Sequence, residues 1–115
     1  MNTSSIRGGN THLFIEGRRI ELPYPIAKVL NFRGLVIVMI EPPPGVLFNR
    51  NVLAFTGAAE PAWQIEESPH GTERDKPYVG ITRNDDDELI ASNWNGVDYR
   101  LNPESGRLTV KAFQK

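Results

Sequence analysis

The fold is decided by Leu35-Val36-Ile37-Val38-Met39-Ile40, six apolar residues in a row within a chain of 115 residues. Their branched side chains favour a β-strand. Neighbouring side chains of a strand point to opposite faces, so this run is apolar on both faces. Such a strand is usually covered on both sides, which predicts a middle layer. The second cover is either the apolar face of a hairpin at residues 12–22 or a second chain, so the pattern also allows a homo-oligomer.

The hairpin is predicted from the sequence between His12 and Leu22. Glu16-Gly17 supplies a two-residue turn, because glycine readily takes a positive φ. With these two residues as the loop, Leu13 pairs with Ile20. Alternation with a period of two then gathers one apolar face, made of Leu13, Ile15, Ile20 and Leu22.

Short strand-like segments separated by turn residues make up the rest of the chain. Prolines mark their boundaries, and no segment has the pattern of a helix. The sequence predicts an all-β fold: an N-terminal hairpin and two duplicated four-stranded antiparallel meanders, packed as a sandwich or a partial propeller. We expect a flexible tail at residues 1–10 and a single domain over residues 11–115. The strands expected after the hairpin are Ile26–Phe32, Leu35–Ile40, Asn51–Phe55, Ala62–Glu66, Tyr78–Thr82, Glu88–Ser92, Val97–Leu101 and Arg107–Phe113.

An internal repeat relates residues 24–66 to residues 78–113. Pro23-Tyr24 and Pro77-Tyr78 open the two copies, 54 residues apart. Later the offset shortens, and Leu53–Thr56 matches Tyr99–Asn102 at 46 residues. The difference fits an extra loop in the first copy at Glu41–Asn49. In that loop, Leu47 and Phe48 are expected either to cover the core or to contact a partner.

A candidate binding site is predicted around Trp94. Asn95-Gly96 is the preferred pair for a type I′ hairpin turn, which needs positive φ at both central residues. Trp94 flanks this turn, where core packing is thin, and an exposed tryptophan buries a large area on binding. A cross-strand pair that stabilises the hairpin is the alternative role for Trp94. Tyr99 and Arg100, on opposite faces of the next strand, complete the site.

A second candidate binding surface is the acidic run Asp85, Asp86 and Asp87. Residues 60–88 carry nine acidic and three basic side chains, although the net charge of the chain is only -1. This segment either forms a solvated turn or docks a basic partner. It repels phosphate, so nucleic-acid binding is not expected. The spacing of an EF-hand loop is absent, so no metal site is predicted.

Catalytic and membrane-spanning roles find little support in the sequence. The chain has no cysteine, which excludes thiolate zinc sites and cysteine nucleophiles. Nucleotide-binding glycine motifs and a nucleophile elbow are absent. Ser68 lies near His70, but no third member of a triad is indicated. We therefore expect no catalytic residue and no cofactor. No apolar run is long enough to span a membrane, and the first residues lack the pattern of a secretory leader, so we expect a cytoplasmic protein.

The segment Tyr99-Arg100-Leu101-Asn102-Pro103-Glu104-Ser105-Gly106 resembles the end of a blade in quinoprotein-type β-propellers. Such blades end in a small and an apolar residue, Asp, two variable residues, Thr-Gly and then Trp. Leu53-Ala54-Phe55-Thr56 followed by Trp63 is similar but lacks the Thr-Gly pair. The resemblance implies two blade-like meanders over residues 24–113. Two blades cannot close a ring, so the cofactor binding of that family is not carried over.

These features favour a small non-catalytic protein-interaction module of the inhibitor, immunity or adaptor type. The absence of catalytic motifs, the acidic segment and the doubly apolar strand all fit a protein partner. The alternative is a β domain that binds a small ligand or a carbohydrate through Trp94 and Tyr99.

Overall fold

The computed structural model describes residues 10–113, with side chains described for residues 10–110. These residues form strands and turns and contain no helix. Apart from Asn10, the predicted tail at residues 1–10 lies outside them. Five predicted strands differ from the observed ones by one or two residues at an end, and the other three, such as Val97–Leu101, match to the residue. The ten strands are β1 (His12–Ile15), β2 (Arg18–Glu21), β3 (Ile26–Phe32), β4 (Leu35–Ile40), β5 (Val52–Thr56), β6 (Pro61–Gln64), β7 (Tyr78–Arg83), β8 (Leu89–Asn93), β9 (Val97–Leu101) and β10 (Leu108–Phe113).

The strands form three antiparallel sheets in chain order, which confirms the predicted fold class. Strands β1 and β2 form a two-stranded hairpin. The first meander has the order β3-β4-β5-β6, and the second has the order β10-β9-β8-β7. Neither meander closes into a barrel, so β3, β6, β7 and β10 are all edge strands of their sheets.

Strand β4 lies in the middle layer, as its apolar run predicts. On one face Val36, Val38 and Ile40 pack against the hairpin. On the other face Ile37 and Met39 pack against the second meander. Burying each of these side chains contributes about 1.5–3 kcal/mol, so β4 is a large source of stability in both layers. The hairpin supplies the second cover, and this face needs no second chain.

The hairpin has the predicted register. Leu13 pairs with Ile20, and Glu16 and Gly17 form the turn with φ values of 50° and 79°. Positive φ at both positions identifies a type I′ turn, whose twist matches that of the strands. The apolar face closes over the first meander as expected.

The turn at Asn95-Gly96 differs from the predicted type I′ turn. Gly96 has a φ of 88°, but Asn95 is not in the positive-φ region. The loop has three residues, and the Gly96 N–H donates to the Asn93 carbonyl at 3.0 Å. This is a type I turn followed by a left-handed glycine. The physical reason is the Asn93 side chain, whose Oδ1 accepts the Asn95 N–H at 3.0 Å and favours the type I geometry.

The registers also correct the alignment of the two meanders. Ala54 pairs with Ile37, and Tyr99 pairs with Ala91, and all four side chains face the common core. The equivalent positions are therefore 45 residues apart at this point, not 46. An offset of 46 would align inward-facing Tyr99 with Leu53, which packs toward the hairpin.

The extra loop of the first meander covers the core with one residue and exposes another. Phe48 packs on the hairpin side of the core, with its ring 5.2 Å from the ring of Tyr24. Leu47 is 51% exposed. Trp63 is half-buried against the core, and its indole N–H donates to the Pro103 carbonyl at 2.8 Å.

Candidate binding groove

Two β-bulges shape one side of the molecule. Ala27 is an extra residue in edge strand β3, between the pairs Ile26–Ile40 and Lys28–Met39. Val79 is an extra residue in edge strand β7, where the register shifts between Tyr78 and Gly80. A bulge interrupts the ladder and re-aims a side chain, and bulges are common beside functional sites. Both bulged residues line the same groove, where the edges of the two meanders meet.

A proline loop forms the opposite wall of this groove. Residues 42–45 read Pro-Pro-Pro-Gly. Gly45 has a φ of 86°, and the Val46 N–H donates to the Pro43 carbonyl at 3.1 Å. These values describe a type II turn with Pro44 and Gly45 at its centre. The Glu41 N–H donates to the Pro25 carbonyl at 2.8 Å, which fixes the start of the loop.

Trp94 stands at the end of the groove. Trp94 is 59% exposed, and its backbone N–H donates to the Pro77 carbonyl at 3.0 Å. Val79 is 55% exposed. Two large apolar side chains are therefore left in solvent beside three proline rings.

The groove has a volume of about 320 Å³. Its apolar lining includes Val79, Trp94 and the proline loop. The charged side chains that line it are Glu41 and Asp75, and both are exposed. Asn51 also lines it, but both its Nδ2 hydrogens and its Oδ1 are already used in hydrogen bonds to backbone groups. The groove therefore offers an apolar, aromatic surface with two carboxylates and few free donors.

Tyr99, which the sequence predicts to bind beside Trp94, does not share this surface. Its ring is fully buried, and its hydroxyl is hydrogen-bonded to Ser68 Oγ and to His70 Nδ1, the latter at 2.9 Å. Asn95 Nδ2 donates to Ser68 Oγ at 2.9 Å and to the His70 carbonyl at 3.0 Å. This network fixes the linker between the meanders to the turn that carries Trp94.

Ser68 and His70 belong to a hydrogen-bond network around the Tyr99 hydroxyl. Ser68 is buried, and its hydroxyl is engaged by Tyr99 and by Asn95. His70 Nδ1 is hydrogen-bonded to the Tyr99 hydroxyl, and the His70 backbone N–H donates to Ser68 Oγ at 3.4 Å. The group contributes to stability by satisfying buried polar atoms.

The acidic run lies at the other end of β8 from Trp94, roughly 20 Å away along the strand, and Arg100 pairs with Ile90 near that end. Asp87 pairs with Arg33 at 3.1 Å and with Arg83 at 3.2 Å. Arg100 pairs with Glu88 at 2.7 Å. Asp85 and Asp86 are exposed in the same loop. The six residues predicted to bind therefore do not form one site, and Trp94 is the one that lies in the groove.

Within residues 10–110, no group of three or more acidic, histidine or cysteine side chains could hold a metal ion. Nor does the described chain include a helix long and apolar enough to cross a membrane.

Tyr78 lies under the groove, and its phenol is held neutral. Burial raises the pKa of Tyr78 well above its ordinary value of 10. Tyr99 and the carboxylates of Glu66 and Glu67 raise it further. The hydroxyl donates to the Glu66 carbonyl at 2.8 Å.

Replacing Tyr78 with phenylalanine is expected to weaken the pH dependence of stability above pH 10. The unfolded phenol ionises near pH 10, whereas the folded one stays protonated. Because folding raises this pKa, the protonated phenol makes its full contribution to the free energy of unfolding below pH 10. Above pH 10 that free energy falls by about 1.4 kcal/mol per pH unit. Urea unfolding between about pH 9 and pH 11.5 measures this slope. Tyr24→Phe is the matched control, and equal slopes for Tyr78→Phe and wild type would contradict the assignment.

Sequence reasoning found Trp94 but missed the rest of the groove. Bulges such as those at Ala27 and Val79 leave no distinct mark on period-2 alternation. Glu41 and Asp75 are 34 residues apart in the sequence, and only the fold brings them to one opening. The one signal of the groove in the sequence was the triple proline at residues 42–44, because it marks a rigid apolar loop.

Comparison with known proteins gives a family and no relative of described activity. The chain matches the family described as Domain of unknown function (DUF7957) over residues 2–113, so it belongs to that family. No curated protein and no solved structure matches it. The resemblance to propeller blades therefore stays a prediction.

Proposed function

We propose that this member of the DUF7957 family is a non-catalytic binding module that holds an exposed segment of a partner protein in the groove beside Trp94. The observation that carries the proposal is the pair of solvent-exposed apolar side chains, Trp94 and Val79, in one groove. Tryptophan is enriched among the residues that dominate binding energies. Whether the partner is inhibited, neutralised or recruited depends on its identity.

The shape and polarity of the groove favour a peptide segment over a sugar. Small-ligand sites use a few well-placed polar groups to orient the ligand. Here the amide of Asn51 is fully engaged, and the remaining charged groups, Glu41 and Asp75, only accept hydrogen bonds when ionised. An extended peptide can lay apolar side chains against the proline rings and the indole, as proline-rich segments do in aromatic grooves.

Selection from a displayed library of 12-residue peptides tests the proposal. We expect wild type to enrich peptides whose Kd rises about 30-fold with Trp94→Ala, as for a residue that dominates an interface. Val79→Ser is expected to weaken the same peptides. Arg100→Ala is the matched control, because it changes an exposed side chain at the other end of β8 and is expected to leave binding intact.

The opposite result would overturn the proposal. If no peptide prefers wild type over Trp94→Ala, the groove is not a peptide site. A glycan array on the same two proteins then tests the alternative, a carbohydrate-binding domain. Trp94-dependent binding on the glycan array and none in the peptide library would favour that alternative.

A further inference from the structure

We infer that the bound segment carries an arginine whose guanidinium packs on the Trp94 indole and pairs with Glu41 and Asp75. The inference rests on the proposed function of the groove and names the chemistry of its occupant.

The charge of the groove is the first observation. Glu41 and Asp75 are the charged side chains among its lining residues, and both are negative. Among the described residues, neither carboxylate forms an ion pair or a side-chain hydrogen bond. The groove therefore presents uncompensated negative charge at an apolar opening, where a cation gains from both carboxylates.

The second observation is the contrast with the acidic loop, which is the loop that carries Asp85, Asp86 and Asp87. There Asp87 is already paired with Arg33 and Arg83, and Glu88 with Arg100. At Asp87 and Glu88 a basic partner would have to displace cations supplied by the chain itself. Asp85 and Asp86 form no ion pair among the described residues, but they lie in an exposed loop at the other end of β8 from Trp94. At the groove, Glu41 and Asp75 form no ion pair among the described residues and lie beside exposed apolar side chains, so charge and apolar surface together favour the groove.

The aromatic wall selects arginine over lysine. A planar guanidinium stacks on an indole and can still donate to two carboxylates from its edges. An ammonium is more strongly hydrated and does not combine the two contacts as well. The volume of about 320 Å³ lies at the small end of ligand sites, so it takes one or two side chains and not a folded element.

The test uses the two indole N–H signals of the ¹⁵N-labelled protein. The indole of Trp63 is bonded inside the molecule to the Pro103 carbonyl, so its signal is an internal control for Trp94. The probes are capped tripeptides Pro-Xaa-Pro in which Xaa is arginine, lysine, citrulline or leucine. The flanking prolines keep them extended. Citrulline has nearly the shape of arginine without its charge.

We expect the arginine peptide to shift the Trp94 signal with a Kd roughly tenfold lower than that of the leucine peptide. Citrulline should behave like leucine, lysine should fall between, and added salt should reduce the difference. The double variant Glu41→Gln, Asp75→Asn is expected to remove most of the preference. The matched control Asp85→Asn, Asp86→Asn is expected to keep it.

Two results would overturn the inference, and they differ in what they imply. Equal shifts of Trp94 by all four peptides, or a preference for arginine that survives the double variant, would refute the arginine assignment and leave the peptide-binding groove in place. Absence of any Trp94 shift with any peptide would contradict the arginine assignment and count against the groove as well.

Discussion

Replacing Asn51 with leucine is expected to lower the free energy of unfolding by about 3–5 kcal/mol. The Asn51 side chain joins the two meanders. Its Nδ2 donates to the Ile40 carbonyl and to the Tyr78 carbonyl, both at 2.9 Å, and its Oδ1 accepts the Tyr78 N–H at 2.8 Å. All these groups are buried, so leucine would leave one backbone donor and two acceptors without partners.

Chemical denaturation of wild type and Asn51→Leu measures this cost. Asn31→Leu is the matched control, because Asn31 is exposed on β3 and the same replacement there is expected to change stability by less than about 0.5 kcal/mol. A similar, small loss at both positions would show that Asn51 is not a principal link between the meanders.

Replacing Gly106 with alanine is expected to cost about 2–4 kcal/mol through two separate effects. Gly106 has a φ of 76°, a conformation that costs an L residue about 1–2 kcal/mol. An added Cβ would also lie 2.7 Å from the ring of Trp63. That ring is held by its hydrogen bond to Pro103, so relieving the clash requires the contact between β6 and the β9–β10 turn to shift.

Gly34→Ala separates the two effects. Gly34 has a φ of 82°, but a Cβ there would meet nothing within 4 Å. It therefore reports the backbone cost alone, and Gly106→Ala should exceed it by about 1–2 kcal/mol. Equal losses in the two variants would mean that Trp63 moves freely and does not fasten the two sheets together.

Much of the fold follows from local chemistry that the sequence displays. The run Leu35–Ile40 predicts a doubly covered strand because a strand alternates its side chains between two faces. Glu16-Gly17 fixes the hairpin register, and the register decides which face is apolar. The turn at Trp94–Gly96 was predicted as type I′, but it is type I. The Asn93 side chain accepts the Asn95 N–H and favours type I, and this outweighs the preference of Asn-Gly for type I′.

The candidate site was less predictable, because it is made by contacts between distant parts of the chain. Tyr99 shows the difficulty: alternation marks a position on a strand, but a tyrosine hydroxyl can be satisfied inside, as here by Ser68 and His70. The acidic run shows the same difficulty. Charge density in the sequence pointed to Asp85–Asp87. The fold brings cations to Asp87, whereas Glu41 and Asp75 at the groove form no ion pair among the described residues.

The most direct test of the groove as a binding site is a backbone amide chemical-shift map, recorded with a peptide selected on the wild-type protein. We predict that the largest shifts fall on the bulges at Ala27 and Val79 and on Trp94. The end of β8 that lies beside Arg100 of β9 should be unaffected. Largest shifts at Asn84–Glu88 and Arg100, with Trp94 unchanged, would contradict the account and place binding at the acidic loop.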